Sequence, residues 1–260
     1  MRRTYIFSDV QGTLVHLVRA YDGLVQLPNR SYISTHTLAL IEAIRSTGAM
    51  FTLTTGMRKS SYEKHLGTIP HDLVILEYGG VVLRDGEIDE AWSDHLTPWN
   101  ELLRSYEAEI QQLGYRTDSN GRFASFRIYN ANQKKNDLSE DQKRALESLV
   151  RPEGLTMVRN LSYFDVIPTA ASKAEAMHYV LRSQGAGFAD TFALGDDLAD
   201  HDMLRAANSA LTLASAHHAT IHLVGEIGGY LSPHRYHRGT EDILQQVLNQ
   251  LSERTIHGQA

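Results

Sequence analysis

The first apolar run of the chain ends on a carboxylate, and this feature constrains the fold most. Residues 5–7 are apolar, Ser8 and Asp9 follow, and Gly12 and Thr13 then turn the chain. Open α/β sheets place ligands and chemistry at the carboxyl ends of their strands. The segment therefore predicts a buried parallel strand that delivers Asp9 to a functional edge.

Strand and helix patterns alternate through the first third of the chain. After a polar loop that runs through Asn29, residues 34–46 have apolar side chains at helical spacing. Strand-like runs at 49–53 and 73–76 enclose a second predicted helix at about 58–66. This alternation is typical of βαβ units and predicts a parallel sheet.

The pattern changes near residue 80, where a hairpin signal with Asp-Gly at its tip begins. The elements predicted up to Pro168 are a hairpin at 80–88, a helix at about 98–113, a strand at 123–129, a helix at about 139–150 and short strands near 155–159 and 162–167. We interpret this stretch as an inserted α+β unit.

The βα pattern returns after Pro168, with predicted helices at about 172–184, near Asp200 and at 240–252, and predicted strands at 191–194 and 209–213. The predicted fold class is α/β. Residues 1–83 and 166–260 would form a Rossmann-like core with a parallel sheet, and residues 84–165 would form an inserted cap.

Composition excludes several classes of function. The formal net charge is −6, so no global positive field attracts nucleic acid. The chain has no cysteine, which excludes disulfides and thiolate chemistry. No stretch approaches the roughly 18 apolar residues of a membrane helix, and residues 5–7 are too short for a signal peptide. We expect a soluble cytoplasmic protein, with neither nucleic acid nor membrane as partner and an undetermined oligomeric state.

Acidic side chains follow two predicted strands. Asp9 and Asp196 each follow an apolar run directly, and Asp197 and Asp200 lie close behind the second. Carboxylates that converge at one sheet edge repel one another unless a cation lies between them, and hard oxygen ligands suit Mg²⁺. The alternative is that Asp9 ends a strand and Asp196 and Asp197 cap a helix.

Two further residues suit a phosphate group. Thr55 ends the second strand just before Gly56, where a hydroxyl and a helix N-terminus would meet a phosphate oxygen. Lys173 opens a helix, a position where its charge opposes the helix dipole unless an anion faces it. The alternatives are an ordinary turn at Thr55 and a solvent-exposed lysine at 173.

Four segments together resemble the motifs of the haloacid dehalogenase (HAD) superfamily of phosphohydrolases, in order. They are Asp9-Val10-Gln11-Gly12-Thr13-Leu14, Thr55 before Gly56, Lys173, and Gly195-Asp196-Asp197-Leu198-Ala199-Asp200. The insertion between the second and third motifs resembles the members with a C2-type cap. Glu77-Tyr78-Gly79-Gly80 is similar to the Glu-Asn-Gly-Gly of mannosyl-3-phosphoglycerate and sucrose-phosphate phosphatases and of phosphomannomutases.

The resemblance implies a Mg²⁺-dependent phosphatase that acts on a small phosphorylated metabolite of the sugar-phosphate kind. It implies that Asp9 is the nucleophile and forms an aspartyl-phosphate, while Thr55, Gly56 and Lys173 hold the phosphoryl oxygens. The implied metal set is Asp9, the backbone carbonyl of Gln11, Asp196 and Asp200, with Asp200, helped by Asp197, orienting the water of the metal.

Gln11 departs from the family pattern, because the second position of the first motif is normally an Asp that moves the proton. Glutamine forms hydrogen bonds but transfers no proton, and general acid–base assistance is worth about 10²–10⁴-fold in rate. Ala199 for Asn and Tyr78 for Asn are milder departures. Three functions stay open: a phosphatase weakened or altered at Gln11, a phosphotransferase with a long-lived aspartyl-phosphate, and a non-catalytic binder of a phosphorylated ligand.

The thirteen histidines form no zinc motif, so we expect surface or packing roles for them. The alternative is that one of them supplies the proton that Gln11 cannot. The cap should select the substrate, because it would cover the strand ends. Its candidate cations are Arg122, Arg127, Lys134 and Lys135, and Arg127 is our candidate for substrate binding. The alternative for each is a solvated sheet face.

Overall fold

The computed structural model describes residues 3–129, 138–150, 154–160 and 163–257. Lys134 and Lys135 lie outside the described residues. The strands are β1 (Tyr5–Asp9), β2 (Leu24–Gln26), β3 (Tyr32–Ser34), β4 (Met50–Thr54), β5 (Leu73–Leu76), β6 (Val81–Arg84), β7 (Glu87–Ile88), β8 (Arg116–Asp118), β9 (Phe126–Tyr129), β10 (Leu155–Asn160), β11 (Tyr163–Pro168), β12 (Thr191–Leu194), β13 (Ser209–Leu213) and β14 (Tyr230–Ser232).

The helices are α1 (Thr35–Ser46), α2 (Lys59–His65), α3 (Glu90–Gln112), α4 (Glu140–Val150), α5 (Lys173–Ser183), α6 (His201–Ala206), α7 (His218–Glu226) and α8 (Tyr236–His257). Short 3₁₀ turns at Glu77–Gly79 and Leu198–Asp200 lie beyond the ends of β5 and β12.

The core sheet has, among the described residues, eight strands in the order β14-β13-β12-β1-β4-β5-β6-β7. The strands from β14 to β5 run parallel, and β6 and β7 add an antiparallel hairpin at one edge. Strand β1 lies between β12 and β4, with Ser8 opposite Leu194 and Asp9 opposite Thr54. The register therefore brings the ends of three parallel strands to one edge, and the predicted α/β fold class is confirmed.

The cap sheet is the four-stranded antiparallel sheet β10-β11-β9-β8. Phe126, Ile128, Phe164 and Val166 alternate along its central strands and pack with α3 and α4 in a cluster of their own. Residues between them, Arg127 and Asp165, lie on the opposite face by the two-residue period of a strand. One face of the cap sheet is therefore available to cover the core.

The predicted elements agree with the structure best where the apolar pattern is continuous. Strands β5, β12 and β13 have the predicted limits, and α1 begins just after Ser34, whose hydroxyl oxygen accepts the backbone N–H of Thr37. The polar loop prediction was wrong in part, because it contains β2. The prediction also missed strands β3, β8 and β14, each of which has only three residues. It missed helix α7 as well.

Helix α3 begins about two turns before the predicted start at Pro98. Asp89 accepts the backbone N–H of Trp92 as its N-cap, and Trp92 and Leu96 are buried against the core. Pro98 lies inside the helix rather than at its first turn. Burial of the extra turns outweighs the hydrogen bond that proline removes. Helix α8 is likewise longer than the predicted 240–252.

The Glu77–Gly80 segment packs tightly at the end of β5. Gly79 has φ +117°, and a Cβ there would lie 2.2 Å from the carbonyl oxygen of Ser172 and 2.4 Å from that of Ala171. Trp92 donates its indole N–H to the Gly79 carbonyl at 2.8 Å. Gly79 therefore allows the backbone before Lys173 to lie against the end of β5.

We expect Gly79→Ala to lower the free energy of unfolding by about 3 kcal/mol or more, because a methyl group meets immovable backbone as well as an unfavourable φ. Gly86→Ala is the matched control, since Gly86 has φ +82° with nothing within 4 Å of a new Cβ. It should cost about 1 kcal/mol. Urea unfolding measures both, and equal losses would contradict the close packing at Gly79.

Candidate active site

Three carboxylates converge at the carboxyl edge of the core sheet. Asp9 ends β1, Asp196 follows β12, and Asp200 closes the 3₁₀ turn after it. One oxygen from each lies within 4.8 Å of the others. Asp9 Oδ2 is buried and has no hydrogen-bond partner among the described residues. The parallel register thus assembles the acidic cluster that the sequence predicts.

Lys173 joins this cluster at the first residue of α5. Its Nζ lies 2.6 Å from Asp9 Oδ1 and 2.5 Å from Asp200 Oδ1, and its side chain is 2% exposed. The alternative of a solvent-exposed lysine is therefore wrong. The carboxylates outweigh both burial and the unfavourable helix dipole, so the pKa of Lys173 is raised and its ammonium is charged.

Asp200 acts mainly inside the loop that carries Asp196. Its Oδ2 accepts the backbone N–H groups of Asp196 and Asp197, each at 3.0 Å, while its Oδ1 faces Lys173. Asp197 caps the same turn by accepting the N–H of Leu198. Both oxygens of Asp200 are thus occupied by donors, so Asp9 and Asp196 offer the cluster its available oxygens.

The turn after β1 is shaped to receive Asp196. Thr13 donates its hydroxyl to Asp196 Oδ1 at 2.9 Å. Gly12 has φ +89°, and a Cβ there would lie 2.0 Å from Asp196 Oδ2. The missing side chain at position 12 therefore lets the carboxylate lie against the backbone beside Gln11.

The cluster is electrostatically strained as it stands. Burial raises the pKa of Asp9 to about 7 against the opposing attraction of Lys173, with the negative charge of Asp200 adding to the rise. Burial also raises the pKa of Asp196 well above its ordinary value, and the charges of Asp9 and Asp200 add to it. One ammonium does not neutralise three carboxylates. A divalent cation between Asp9 and Asp196 would relieve this repulsion.

Thr55 and Gly56 form the turn after β4, beside the cluster. The Thr55 hydroxyl accepts the backbone N–H of Met57 at 3.3 Å, and the Thr55 carbonyl accepts that of Tyr78 at 3.1 Å. Together with Asp9, Gln11 and Lys173, this turn lines a small cavity of about 80 Å³. That volume equals a few water molecules, which suits a phosphoryl group.

Gln11 lies where two cavities meet. It is exposed and lines both the small cavity and a large cavity of about 700 Å³ that extends between core and cap. That volume is typical of small-molecule sites. The residues of the cap that line it are Asp118, Arg122, Arg127, Tyr129 and Tyr163. A ligand that spans the two cavities would therefore pass beside Gln11.

Arg127 reaches the large cavity already paired. Its Nε and Nη2 donate to the two oxygens of Asp165 at 2.7 and 2.9 Å, and its guanidinium lies 4.9 Å from the ring centre of Tyr163. Asp165 was missed at the sequence level, because it occurs in a strand without a motif. The alternative of a solvated sheet face for Arg127 does not describe this geometry.

Histidines also enter the site, which sequence reasoning missed. His16 lines the large cavity, and its Nε2 lies 2.8 Å from the hydroxyl of Thr240. Thr240 in turn donates to the carbonyl of Thr13 at 2.5 Å. Burial, followed by the neighbouring His237, lowers the pKa of His16 to about 3. His16 is therefore neutral at pH 7. It supports the turn after β1 through Thr240 and is not suited to supply a proton.

Comparison with known proteins assigns the family. A family model described as sucrose-6F-phosphate phosphohydrolase matches residues 3–250. The chain belongs to this family. The match covers both the core and the cap, and it confirms a haloacid dehalogenase superfamily phosphohydrolase with a cap. No curated protein matches the chain.

Solved structures show the same fold. The sucrose-phosphatase of Synechocystis sp. PCC6803, in complex with sucrose and phosphate, has 15% identity and a TM-score of 0.70, over 96% of this chain and 98% of that one. A Thermoplasma acidophilum protein has 16% identity and a TM-score of 0.69, over 95% and 98%. A HAD subclass IIB sugar phosphatase has 15% identity and a TM-score of 0.67, over 96% and 99%.

Within the ranges that the structure describes, no helix is both long and apolar enough to cross a membrane.

The lowered pKa of His16 predicts acid sensitivity. In the unfolded chain, His16 has its ordinary pKa of about 6.5, whereas in the folded chain its pKa is about 3. Between these two pH values, the unfolded chain therefore binds a proton that the folded chain does not. The stability contributed by neutral His16 is therefore complete above pH 6.5 and is lost as the pH falls toward 3. Relative to His16→Gln, the wild type should lose about 2 kcal/mol of unfolding free energy between pH 7 and pH 5.

Urea unfolding at the two pH values measures this difference. His222→Gln is the control, since the His222 side chain is exposed. A wild type and a His16→Gln variant that lose stability in parallel would contradict the assignment of a neutral, buried imidazole.

Proposed function

We propose that this protein is a Mg²⁺-dependent phosphatase that acts on a small phosphorylated metabolite of the sugar-phosphate kind through an aspartyl-phosphate on Asp9. Membership of the family supports phosphatase or phosphotransferase chemistry. The observation that carries the proposal is Asp9 itself: Lys173 holds one carboxylate oxygen, while the other is buried beside the small cavity without a partner among the described residues.

The proposed reaction begins with the phosphoryl group in the small cavity. The Thr55 hydroxyl, the backbone at Gly56 and the Lys173 ammonium bind its oxygens and stabilise the charge that develops on them. An oxygen of Asp9 attacks phosphorus, and the bond from phosphorus to the leaving oxygen breaks. Water then attacks phosphorus and releases Asp9 and inorganic phosphate.

The residues present fit a hard divalent cation. Asp9 and Asp196 have available oxygens, and Gly12 leaves room for Asp196. Burial raises the pKa of both carboxyl groups, and the neighbouring carboxylates add to the rise. We propose that Asp9, the backbone carbonyl of Gln11 and Asp196 hold Mg²⁺, with Asp200 fixing the loop of Asp196. When bound, Mg²⁺ neutralises the carboxylates and polarises the phosphoryl group.

Gln11 defines the second candidate, phosphoryl transfer. Its amide N–H can donate a hydrogen bond but is too weakly acidic to transfer a proton, so the leaving oxygen takes a proton from solvent or from the substrate. The same lack of proton transfer slows attack of water on the aspartyl-phosphate. A long-lived aspartyl-phosphate favours transfer to an acceptor hydroxyl in the large cavity, which is roomy enough to hold one.

We propose that the cap is a C2-type insertion within about 84–165 and that it binds the leaving group. Strand β7, at the start of that range, pairs with β6 in the core sheet. Arg127 and the tyrosines around it offer hydrogen bonds and ring faces to a hydroxylated group. A cytoplasmic location stays a prediction.

We expect Asp9→Asn to lower kcat for phosphate release at least about 1000-fold, because the amide is a poor nucleophile. The assay is phosphate release from a panel of sugar phosphates with Mg²⁺, repeated with EDTA, which should abolish activity. Asp242→Asn, at a carboxylate bonded to Tyr230 away from the site, is the control. Unchanged activity in Asp9→Asn would refute the nucleophile, and binding of sugar phosphates without turnover by the wild type would favour the binder.

We expect Gln11→Asp to raise the rate of hydrolysis by about 10²–10⁴-fold, because it restores a proton-transfer group at the leaving oxygen. Gln11→Asn is the matched control: it shortens the side chain and keeps the amide, so its rate should stay low. A fall in Gln11→Asp would show that the glutamine serves another chemistry. A stable phosphorylated Asp9 in the wild type, found by mass spectrometry, would favour transfer over hydrolysis.

A further inference from the structure

The Glu77–Tyr78 pair connects the phosphate-binding turn to the cap. The backbone N–H groups of Glu77 and Tyr78 donate to the carbonyls of Met57 and Thr55, each at 3.1 Å. Both residues have positive φ, +50° and +60°. Side chains other than Asn and Asp rarely adopt this conformation, so surrounding contacts must hold Tyr78 in it. The pair is therefore fixed to the turn that carries Thr55.

The Glu77 side chain binds the segment of the cap that lies just before β9. Its carboxylate is fully buried and accepts the N–H groups of Phe123 and Ala124 and the hydroxyl of Ser125. The Ser125 bond is 2.7 Å long. This anchor accounts for the position of the chain entering β9, but it does not reach the large cavity.

The Tyr78 side chain crosses to β11. Its ring lies so close to Gly56 that a Cβ there would be 2.3 Å from the tyrosine Cζ and 2.6 Å from its hydroxyl oxygen. The hydroxyl donates to Asp165 Oδ2 at 2.9 Å. Tyr78 also lines the small cavity with Asp9. One side chain therefore contacts both the phosphate-binding turn and the buried carboxylate of the cap.

Asp165 transmits this contact to the large cavity. It is fully buried, and its two oxygens bind the Nε and Nη2 of Arg127. A guanidinium that binds a carboxylate through two parallel hydrogen bonds takes its orientation from that carboxylate. The orientation of the Arg127 guanidinium therefore follows that of the Asp165 carboxylate. Asp165 Oδ2 also accepts the Tyr78 hydroxyl, so a residue of the core contacts the carboxylate that binds Arg127. Arg122 Nη2 lies 3.8 Å from the other oxygen, Oδ1.

We propose that Tyr78 is a positioning residue that, through Asp165, fixes Arg127 for recognition of the leaving group, so that this chain selects phosphate esters whose leaving group presents acceptor oxygens to the cap. The selection rests on the proposed phosphatase function. The physical link between Tyr78 and Arg127 does not, and it can be measured without substrate.

The kinetic test uses Tyr78→Phe, which keeps the ring on Gly56 and removes only the hydroxyl. For the sugar phosphate that the wild type hydrolyses best, KM should rise at least about tenfold with kcat changed less than about threefold, because a hydrogen bond to a charged group is lost. For phenyl phosphate, whose leaving group has no acceptor oxygen beyond the ester oxygen itself, kcat/KM should change less than about twofold. Equal losses for both esters would indicate a merely structural tyrosine and overturn the proposal.

Coupling to Arg127 is the second readout. In an Arg127→Met background, Tyr78→Phe should have almost no further effect on the ratio of kcat/KM for the two esters, because its effect passes through the guanidinium. Independent, additive effects would overturn the proposal. Tyr230→Phe is the matched control: it loses a 2.8 Å hydrogen bond to Asp242, and neither residue lines the small or the large cavity, so the ratio should stay unchanged.

Hydrogen–deuterium exchange tests, without any substrate, whether Tyr78 stabilises the cap strands that carry Arg127 and Asp165. Tyr78→Phe should speed exchange in peptides spanning 126–129 and 163–168 at least about fivefold, and leave 50–54 unchanged. Unchanged exchange in both cap peptides would overturn the positioning role. If the wild type hydrolyses neither ester, the proposed function fails, while the exchange result still decides whether Tyr78 holds Asp165 and Arg127.

Discussion

The ion pairs of the Lys173 ammonium with Asp9 and Asp200 are the interaction on which the rest of the site depends. Two buried carboxylates, Asp9 and Asp200, and the half-buried Asp196 would otherwise repel one another at the end of the sheet, and one ammonium removes only part of that repulsion. The remaining negative charge is what makes the site suited to a divalent cation. The backbone just before Lys173 packs closely on Gly79, and this contact lies beside the residue whose ammonium reaches Asp9 and Asp200.

Core and cap are connected through the segment that follows β5. The backbone N–H groups of Glu77 and Tyr78 bind the turn at residues 55–57, and their side chains bind the cap at Ser125 and Asp165. Under the proposed function, the core sheet would carry the phosphoryl chemistry and the cap sheet would recognise the leaving group. Glu77 and Tyr78, both with left-handed backbone, connect the two sheets. Such strain is typical of functional sites, where surrounding contacts maintain it.

Much of the candidate site was predictable, because its residues stand at the ends of strongly apolar strands. Asp9, Thr55 and Asp196 stand at the ends of predicted, mainly apolar strands, so their meeting at one edge follows from parallel pairing. Lys173 was predictable from the conflict between its charge and the helix dipole. Asp165 and His16 were not, since an acidic residue within a strand and a lone histidine carry no local pattern that distinguishes them from surface residues.

The sequence by itself determined the α/β class and the converging carboxylates, because these depend on local periodicity and residue identity. The departure at Gln11 came from the resemblance to the first motif of the superfamily. Only the tertiary structure decided that Asp200 binds its own loop, that His16 is buried and neutral, and that Tyr78 reaches Asp165 and Arg127. Those relations join residues far apart in the chain, 87 positions in the case of Tyr78 and Asp165. Burial and hydrogen-bond partners across such distances are set by packing, which no local pattern encodes.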